Sequence, residues 1–485
     1  MLAVALLCLA CAAYWWWRRN SANTTEPPYY PGAWPIVGHA PLLIGDSCSK
    51  LLVLIWLSSC SYDLGGVMAA RLGPRTAYFV SDPDDCFTVG TSCLEKDPFY
   101  NFAEPWVGDG LVTARYSIWK NHRKLLNPAF NKILLESYMG VFNSQSRKLV
   151  KDLEKNVGKG LFDHWTYTRH NSLESICLTS LGVDFSDSNL NSEYMDAAEQ
   201  VINAFVERFT KFWWHSSYTF AWSKLKKKQD CYLKILHNMS NTVRRIVGST
   251  FQRYHVASRR PPRTKFKAFI DILLEQSIEN GVFNDKEIRN HVDTMLVAGH
   301  ETTANVLMFT LVLLGSYPEA QEKVLQVVLG GNRDVEKTDL SKLVYTEAVL
   351  KESMRVFTVV PVILRKLDRD VNLKNYTLLA GRTCALFLFG LHKHPMWGPD
   401  RHEFKPERWL EPGRLPDNPN AFAPFGLGRR NCIGKVYAMM SMKTTLAHVV
   451  QSYRIQADHT KMRIKFVGVL KPDNEGYYIS IERRT

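Results

Sequence analysis

Residues 1–17 carry no charged side chain, and Arg18 and Arg19 follow at once. A helix over that run rises ~25 Å, slightly short of the ~30 Å hydrocarbon core of a bilayer. Tyr14 and Trp15 to Trp17 suit the membrane interface, and positive charge behind the segment predicts a cytosolic body. A cleaved signal peptide is the rival, but it places charge before the apolar run and small residues at its end. Residues 18–38 turn basic and then dense in Pro and Gly, a stiff hinge between anchor and body. Residues 67–80 alternate and end in Tyr78-Phe79-Val80, which predicts a strand pair turning at Gly73-Pro74. From about 115 to 355 the periodicity is mainly helical. The basic stretch Arg259–Arg263, with two prolines, reads as a loop. Asn284 and Glu287 form a capping-box pattern for a helix running to about Gly315, with Pro318 opening the next. At roughly 30 residues and ~1.5 Å each such a helix crosses the whole body, so it should be central. A further helical run starts near Lys435.

Composition narrows the class. The chain has 485 residues, 46% hydrophobic and 22% charged, which is ordinary globular usage and excludes disordered and coiled-coil classes. Ten cysteines are too few for a disulfide scaffold in a chain this long and fit a reducing compartment. Cys8 and Cys11 lie inside the apolar run and read as packing residues, not a redox or zinc pair. The net charge of +14 leaves four partners open: an anionic membrane, nucleic acid, an acidic protein or an acidic cofactor.

The strongest chemical signal is Phe425-Gly-Leu-Gly428-Arg-Arg430-Asn-Cys432-Ile-Gly434, just before the helical run. A thiol at a helix start has its thiolate favoured by the dipole and free N–H groups. Flanking glycines let a flat ligand approach the backbone. Arg430 can meet an acidic group on that ligand, and Phe425 can shield the sulfur. A thiolate on haem iron needs this set of features. The pattern matches every fixed position of FxxGxRxCxG, so the chain resembles the cytochrome P450 superfamily.

Three further motifs stand in the order that resemblance requires. Trp119 and Arg123 share one helix face and resemble the family's haem-propionate contacts, as do Arg430 and Arg365. Ala298-Gly299-His300-Glu301-Thr302 falls in the middle of the long helix. There the small residues Ala298 and Gly299 let the helix pass close over a flat haem. Thr302 can bond its own i−4 carbonyl or open a local bend. The resemblance gives Glu301 and Thr302 the roles of the acid–alcohol pair that organises proton delivery. Glu352 and Arg355 lie on one helix face, and with Arg408 resemble a buried structural lock. A finer resemblance is to family 4, carried by Pro105–Leu111, His122–Phe130, Val292–Thr294 and Leu391–Pro395. Many family-4 members carry a glutamate where this chain has Ala298, and that glutamate can esterify a haem methyl. Alanine cannot, so the haem b expected here is non-covalent.

The resemblance implies a mainly α fold with small β-sheets, haem between the long helix and the Cys432 loop, and one haem domain over 39–485. It implies an endoplasmic-reticulum monooxygenase acting on a lipophilic small molecule with O₂. NADPH-derived electrons would come from the flavin reductase, with cytochrome b5 a second donor. Lys120, Lys124, Lys132, Arg429, Lys435 and Lys443 would face that acidic partner. Phe99–Val112, Phe205–Trp222, Val360–Leu364 and Val467–Leu470 fall in its substrate-contacting regions. Phe212-Trp213-Trp214, Tyr218, Phe220 and Trp222 read either as a bilayer contact or as core. A haem-thiolate isomerase or dehydratase, or a non-catalytic haem carrier, are the alternatives. Nucleic acid is not needed to explain the charge.

Overall fold

The computed structural model describes residues 8–9, 11–12, 25–34, 37–73, 75–184, 188–256, 268–327, 333–473 and 476–484. The anchor expected over 1–17 lies outside them but for four residues, and so do Arg18, Arg19, Pro74 and the Arg259–Arg263 stretch.

Nine of the helices matter here: α1 (Ser47–Asp63), α2 (Tyr116–Leu126), α3 (Met139–Leu153), α4 (Trp165–Ile176), α5 (Ser188–Thr210), α6 (Lys224–Val256), α7 (Asp285–Ser316), α8 (Val344–Val356) and α9 (Lys435–Ser452). Six strands matter here: β1 (Val67–Leu72), β2 (Arg75–Val80), β3 (Ile363–Lys366), β4 (Thr383–Leu386), β5 (Ile464–Val467) and β6 (Val469–Pro472).

α7 is the long helix the sequence predicts, and its start is the capping box. The Asn284 side chain accepts from the Glu287 N–H at 3.0 Å, and Glu287 accepts from the Asn284 N–H at 2.9 Å. Its apolar residues are buried on nearly all sides, because α4, α6, α8 and α9 pack around it. Among the described residues it alone is long and apolar enough to cross a membrane, yet 78% of its most apolar window is buried in protein. That burial marks it as the central core helix. Gly315 near its end is needed for close packing, since a Cβ there would lie 2.8 Å from Ala457.

The strand pair over 67–80 forms as expected, with Val67 opposite Val80. The sheet order is β1-β2-β4-β3, with β2 and β4 parallel and the other pairs antiparallel. Part of the expected hinge joins this sheet. Tyr30 N–H donates to the Ala69 carbonyl at 2.8 Å and Ala69 N–H to Pro28 at 2.9 Å, while Arg382 pairs with Glu26. β5 and β6 form a hairpin turning at Gly468, where φ is +74°.

Candidate active site

The loop before α9 closes on itself. Cys432 N–H donates to the Phe425 carbonyl at 2.8 Å, and α9 starts three residues later with Gly434 as its N-cap. Gly428 has φ +68°, and a Cβ on it would lie 2.2 Å from the Gly90 carbonyl oxygen. Its smallness therefore seats the loop on the helix Pro83–Ser92 and does not face a ligand.

Between this loop and the middle of α7 lies a cavity of about 310 Å³. Cys432, Phe425, Gly434, Trp119, Arg123, Arg365, Arg430, Ala298, Gly299 and Thr302 all line it. Residues from α2, β3, α7 and the cysteine loop thus converge as expected. Three refinements follow from the geometry. Thr302 takes the back-bonding alternative, its hydroxyl donating to the Ala298 carbonyl at 2.9 Å within an unbroken helix. Gly299 makes room for a neighbouring helix as well as for the cavity, since a Cβ would come within 2.7 Å of the Ile176 side chain. Glu301 does not line the cavity at all. Its carboxylate is buried on another flank of α7, 2.6 Å from Lys471 Nζ.

The cavity rim is strongly cationic. Arg365 is buried, its Nη1 donating only to the Leu364 carbonyl at 3.1 Å, and its Nε has no partner. Arg430 lies 4.6 Å over the Trp119 ring and donates to the Ala114 carbonyl at 2.7 Å, leaving Nε and Nη1 without partners. Arg123 donates to the Asn431 carbonyl at 2.9 Å. A fourth cation, Lys96, was not foreseen. Its backbone bridges that of Arg365, and its Nζ sits 4.1 Å over the Tyr100 ring. Among the described residues none of the four makes an ion pair. Burial, then Arg365, pushes the Arg430 guanidinium down to about 10. Burial and the charges of Arg365 and Arg430 hold Lys96 well below the usual lysine range. Cations in such a state lack anions.

The Gly434 N–H, Arg123 and Lys435 all favour the Cys432 thiolate, as expected, but loss of solvent raises the thiol above its usual range. Those donors do not by themselves offset that loss. A bound metal cation would, because coordination deprotonates a thiol. Orphaned guanidinium nitrogens, four unpaired cations and a thiol in a largely apolar slot therefore fit a flat iron-bearing group with two carboxylates.

The lock expected at Glu352 is fully connected. Arg355 donates to both its carboxylate oxygens at 2.9 and 2.7 Å, Arg408 to Oε1 at 3.1 Å and Trp409 to Oε2 at 2.9 Å. Arg355 also donates to the carbonyls of His392, Arg401 and Glu403. None of Glu352, Arg355 and Arg408 lines the cavity.

Of the expected docking residues, Lys120, Lys124, Lys132, Arg429 and Lys435 are exposed. Lys443 is a correction. It is buried, paired with Glu347 at 2.5 Å and bonded to the Leu340 carbonyl, because it lies on the inward face of α9.

A second apolar cavity, also about 310 Å³, adjoins the first and shares Lys96, Val112, Val360 and Ile363 with it. Phe99, Phe205, Phe209, Leu364 and Gly468 line it, one or more from each of the four expected substrate segments. The aromatic run splits: Phe220 is buried, whereas Phe212, Trp213, Tyr218 and Trp222 are exposed.

The comparisons agree with this geometry. The family model for Cytochrome P450 matches residues 27–479. Cytochrome P450 4V2 of Mus musculus is 32% identical, over 93% of this chain and 89% of the relative. The Homo sapiens protein of that name is 31% identical over the same shares. Cytochrome P450 4c3 of Drosophila melanogaster is 30% identical, over 85% of this chain and 80% of the relative. With a family model spanning the body and family-4 relatives along most of its length, this chain belongs to the cytochrome P450 family and is a haem-dependent monooxygenase.

Proposed function

We propose that the chain hydroxylates a lipophilic small molecule by the balance RH + O₂ + NADPH + H⁺ → ROH + H₂O + NADP⁺. The observation that carries this reading is the ring of unpaired cations facing one cavity with Cys432 at its floor and Thr302 in its wall. Non-covalent haem b held there, its iron on the Cys432 sulfur, supplies oxygen activation, and the thiolate favours O–O cleavage. Arg123, Arg365, Arg430, Lys96 and the Trp119 indole hold the two propionates. Ala298, with no carboxylate, leaves the haem methyl free. Thr302 presents its hydroxyl to the cavity and, with Glu301 behind it, handles the proton. Glu352, Arg355 and Arg408 keep α8 and the segment after Lys405 rigid behind the site.

The adjoining apolar cavity selects the substrate class, since Phe99, Phe205, Phe209 and Leu364 offer it little but hydrocarbon. Lys120, Lys124, Lys132, Arg429 and Lys435 form the face for the flavin reductase and for cytochrome b5. Residues 1–17 anchor one haem domain, 39–485, to the endoplasmic reticulum through the 18–38 linker. The exposed Trp213, Tyr218 and Trp222 add a second contact with the bilayer. The test is the CO-difference spectrum of the reduced protein, followed by NADPH-dependent product formation with reductase and a panel of lipophilic compounds. A Soret band without the thiolate red shift, or product formed from hydroperoxides but none with NADPH and reductase, overturns the reading.

A further inference from the structure

Glu301 is one residue from Thr302 but points elsewhere. Successive helical residues are turned by about 100°, and this step carries the Glu301 carboxylate out of the cavity wall toward the β5–β6 hairpin. There both oxygens face nitrogen atoms. Oε1 lies 2.6 Å from Lys471 Nζ and Oε2 lies 3.3 Å from His300 Nε2. His300 is itself fixed, its Nδ1 donating to the Leu296 carbonyl at 2.6 Å, so only its doubly protonated ring can also donate to Glu301. Lys471 and His300 are wholly buried. Arg169 of α4 adds positive charge, and the Tyr194 ring of α5 packs 5.8 Å from His300. Burial by itself would raise Glu301. Lys471, then His300 and Arg169, outweigh that and hold it well below the usual carboxylate range.

Lys471 sits on an element that touches both cavities. The Leu470 N–H donates to the Val359 carbonyl at 2.7 Å, and Val359 lines the haem cavity. Phe466 and Gly468 of the same hairpin line the second cavity.

We propose that Lys471 is a positioning residue: it holds the Glu301 carboxylate on the hairpin side of α7, so that Glu301 serves Thr302 only when this pair loosens. An occupant pressing on the hairpin turn is the natural means of loosening it. The proposal rests on the monooxygenase reading above.

The test uses the full chain with haem and reductase, without added substrate, where each NADPH can reduce O₂ to peroxide (O₂ + NADPH + H⁺ → H₂O₂ + NADP⁺). With the Lys471–Glu301 pair intact this leak should be slow. Lys471→Met should raise it about tenfold, within the range that proton-transfer groups command. Lys471→Arg, which keeps the charge, should stay within about twofold. Adding Glu301→Gln to Lys471→Met should return the leak to the wild-type level. A readout independent of turnover is the infrared band of a protonated carboxylic acid at pH 7. In difference spectra against the wild type it should gain intensity in Lys471→Met and lose that gain in the double variant. If Lys471→Met does not fold, Lys471→Gln keeps a donor without the charge and is read in the same way. An unchanged leak in Lys471→Met, or a rise that survives Glu301→Gln, overturns the proposal. A wild-type protein without the thiolate-type CO spectrum would instead overturn the monooxygenase reading, so the two failures are distinct.

Discussion

Two arginine clusters among the described residues, one around Glu352 and one around the buried Arg365, differ in one respect. Around Glu352 the carboxylate and both arginines are answered. Arg355 and Arg408 share one carboxylate, and carbonyls of His392, Arg401 and Glu403 take the remaining donors. Around Arg365 a few carbonyls accept hydrogen bonds, but among the described residues no acid answers. Arg430 and Lys96 stand beside it, guanidinium nitrogens are orphaned, and burial presses the charges downward in pKa. Native proteins rarely leave buried cations in that state without an anion to receive. The closed cluster therefore reads as structure and the open one as a binding site for a dianion.

Substitutions can break this contrast. The largest effect belongs to the cavity floor. Cys432→Ala should abolish the thiolate-type CO band altogether, and persistence of that band would remove Cys432 as ligand. Next comes the closed cluster. Arg355→Met leaves Glu352 buried with one cation fewer, and should cost about 3–5 kcal/mol, read as a fall in melting temperature or a failure to recover folded protein. The open cluster should respond in the opposite sense. Arg365→Met removes a charge that has no partner, so the haem-free protein should melt no lower than the wild type. Its haem should dissociate roughly 10–100-fold more readily, the value of one or two charge-assisted hydrogen bonds. Equal destabilisation of the haem-free Arg365 and Arg355 variants would erase the distinction. Lys96→Met should follow Arg365→Met with a smaller loss, about tenfold or less, measured by haem transfer to an apo-globin acceptor.

The same rule of paired against unpaired charge sharpens the outer surface, where effects are smallest. Lys124 is exposed and without an ion pair among the described residues, whereas Lys443 is buried against Glu347. Lys124→Ala should raise the reductase KM a few-fold, with a salt dependence, and leave melting unchanged. Lys443→Ala should do the reverse, lowering the melting temperature at constant KM.

Much of this was legible beforehand. The Asn284–Glu287 cap, the strand pair over 67–80 and the Phe425–Gly434 loop are local devices, and each is written within a few neighbouring residues. Lys96 was not legible, because a lone lysine between two loops has no motif. Only the backbone bridge to Arg365 brings it to the cavity. Gly428 was read as space for a ligand, yet its close neighbour is the Gly90 carbonyl. No pattern near residue 428 could reveal that contact. The Phe212–Trp222 aromatics show the same limit. Composition could not separate buried Phe220 from exposed Trp222, since that depends on how the loop between α5 and α6 folds back.

By itself the sequence determined the family, the order of the elements, the thiol at the start of α9 and the residue types around it. The family followed from the resemblance of its motifs, and the elements from short-range rules of capping and periodicity. The tertiary structure alone decided which charges are answered. Glu301 finds Lys471, Lys443 finds Glu347 and Arg365 finds no one, across separations that no local pattern spans. A charge in a buried place is defined by what faces it, and what faces it is set by the packing of distant elements.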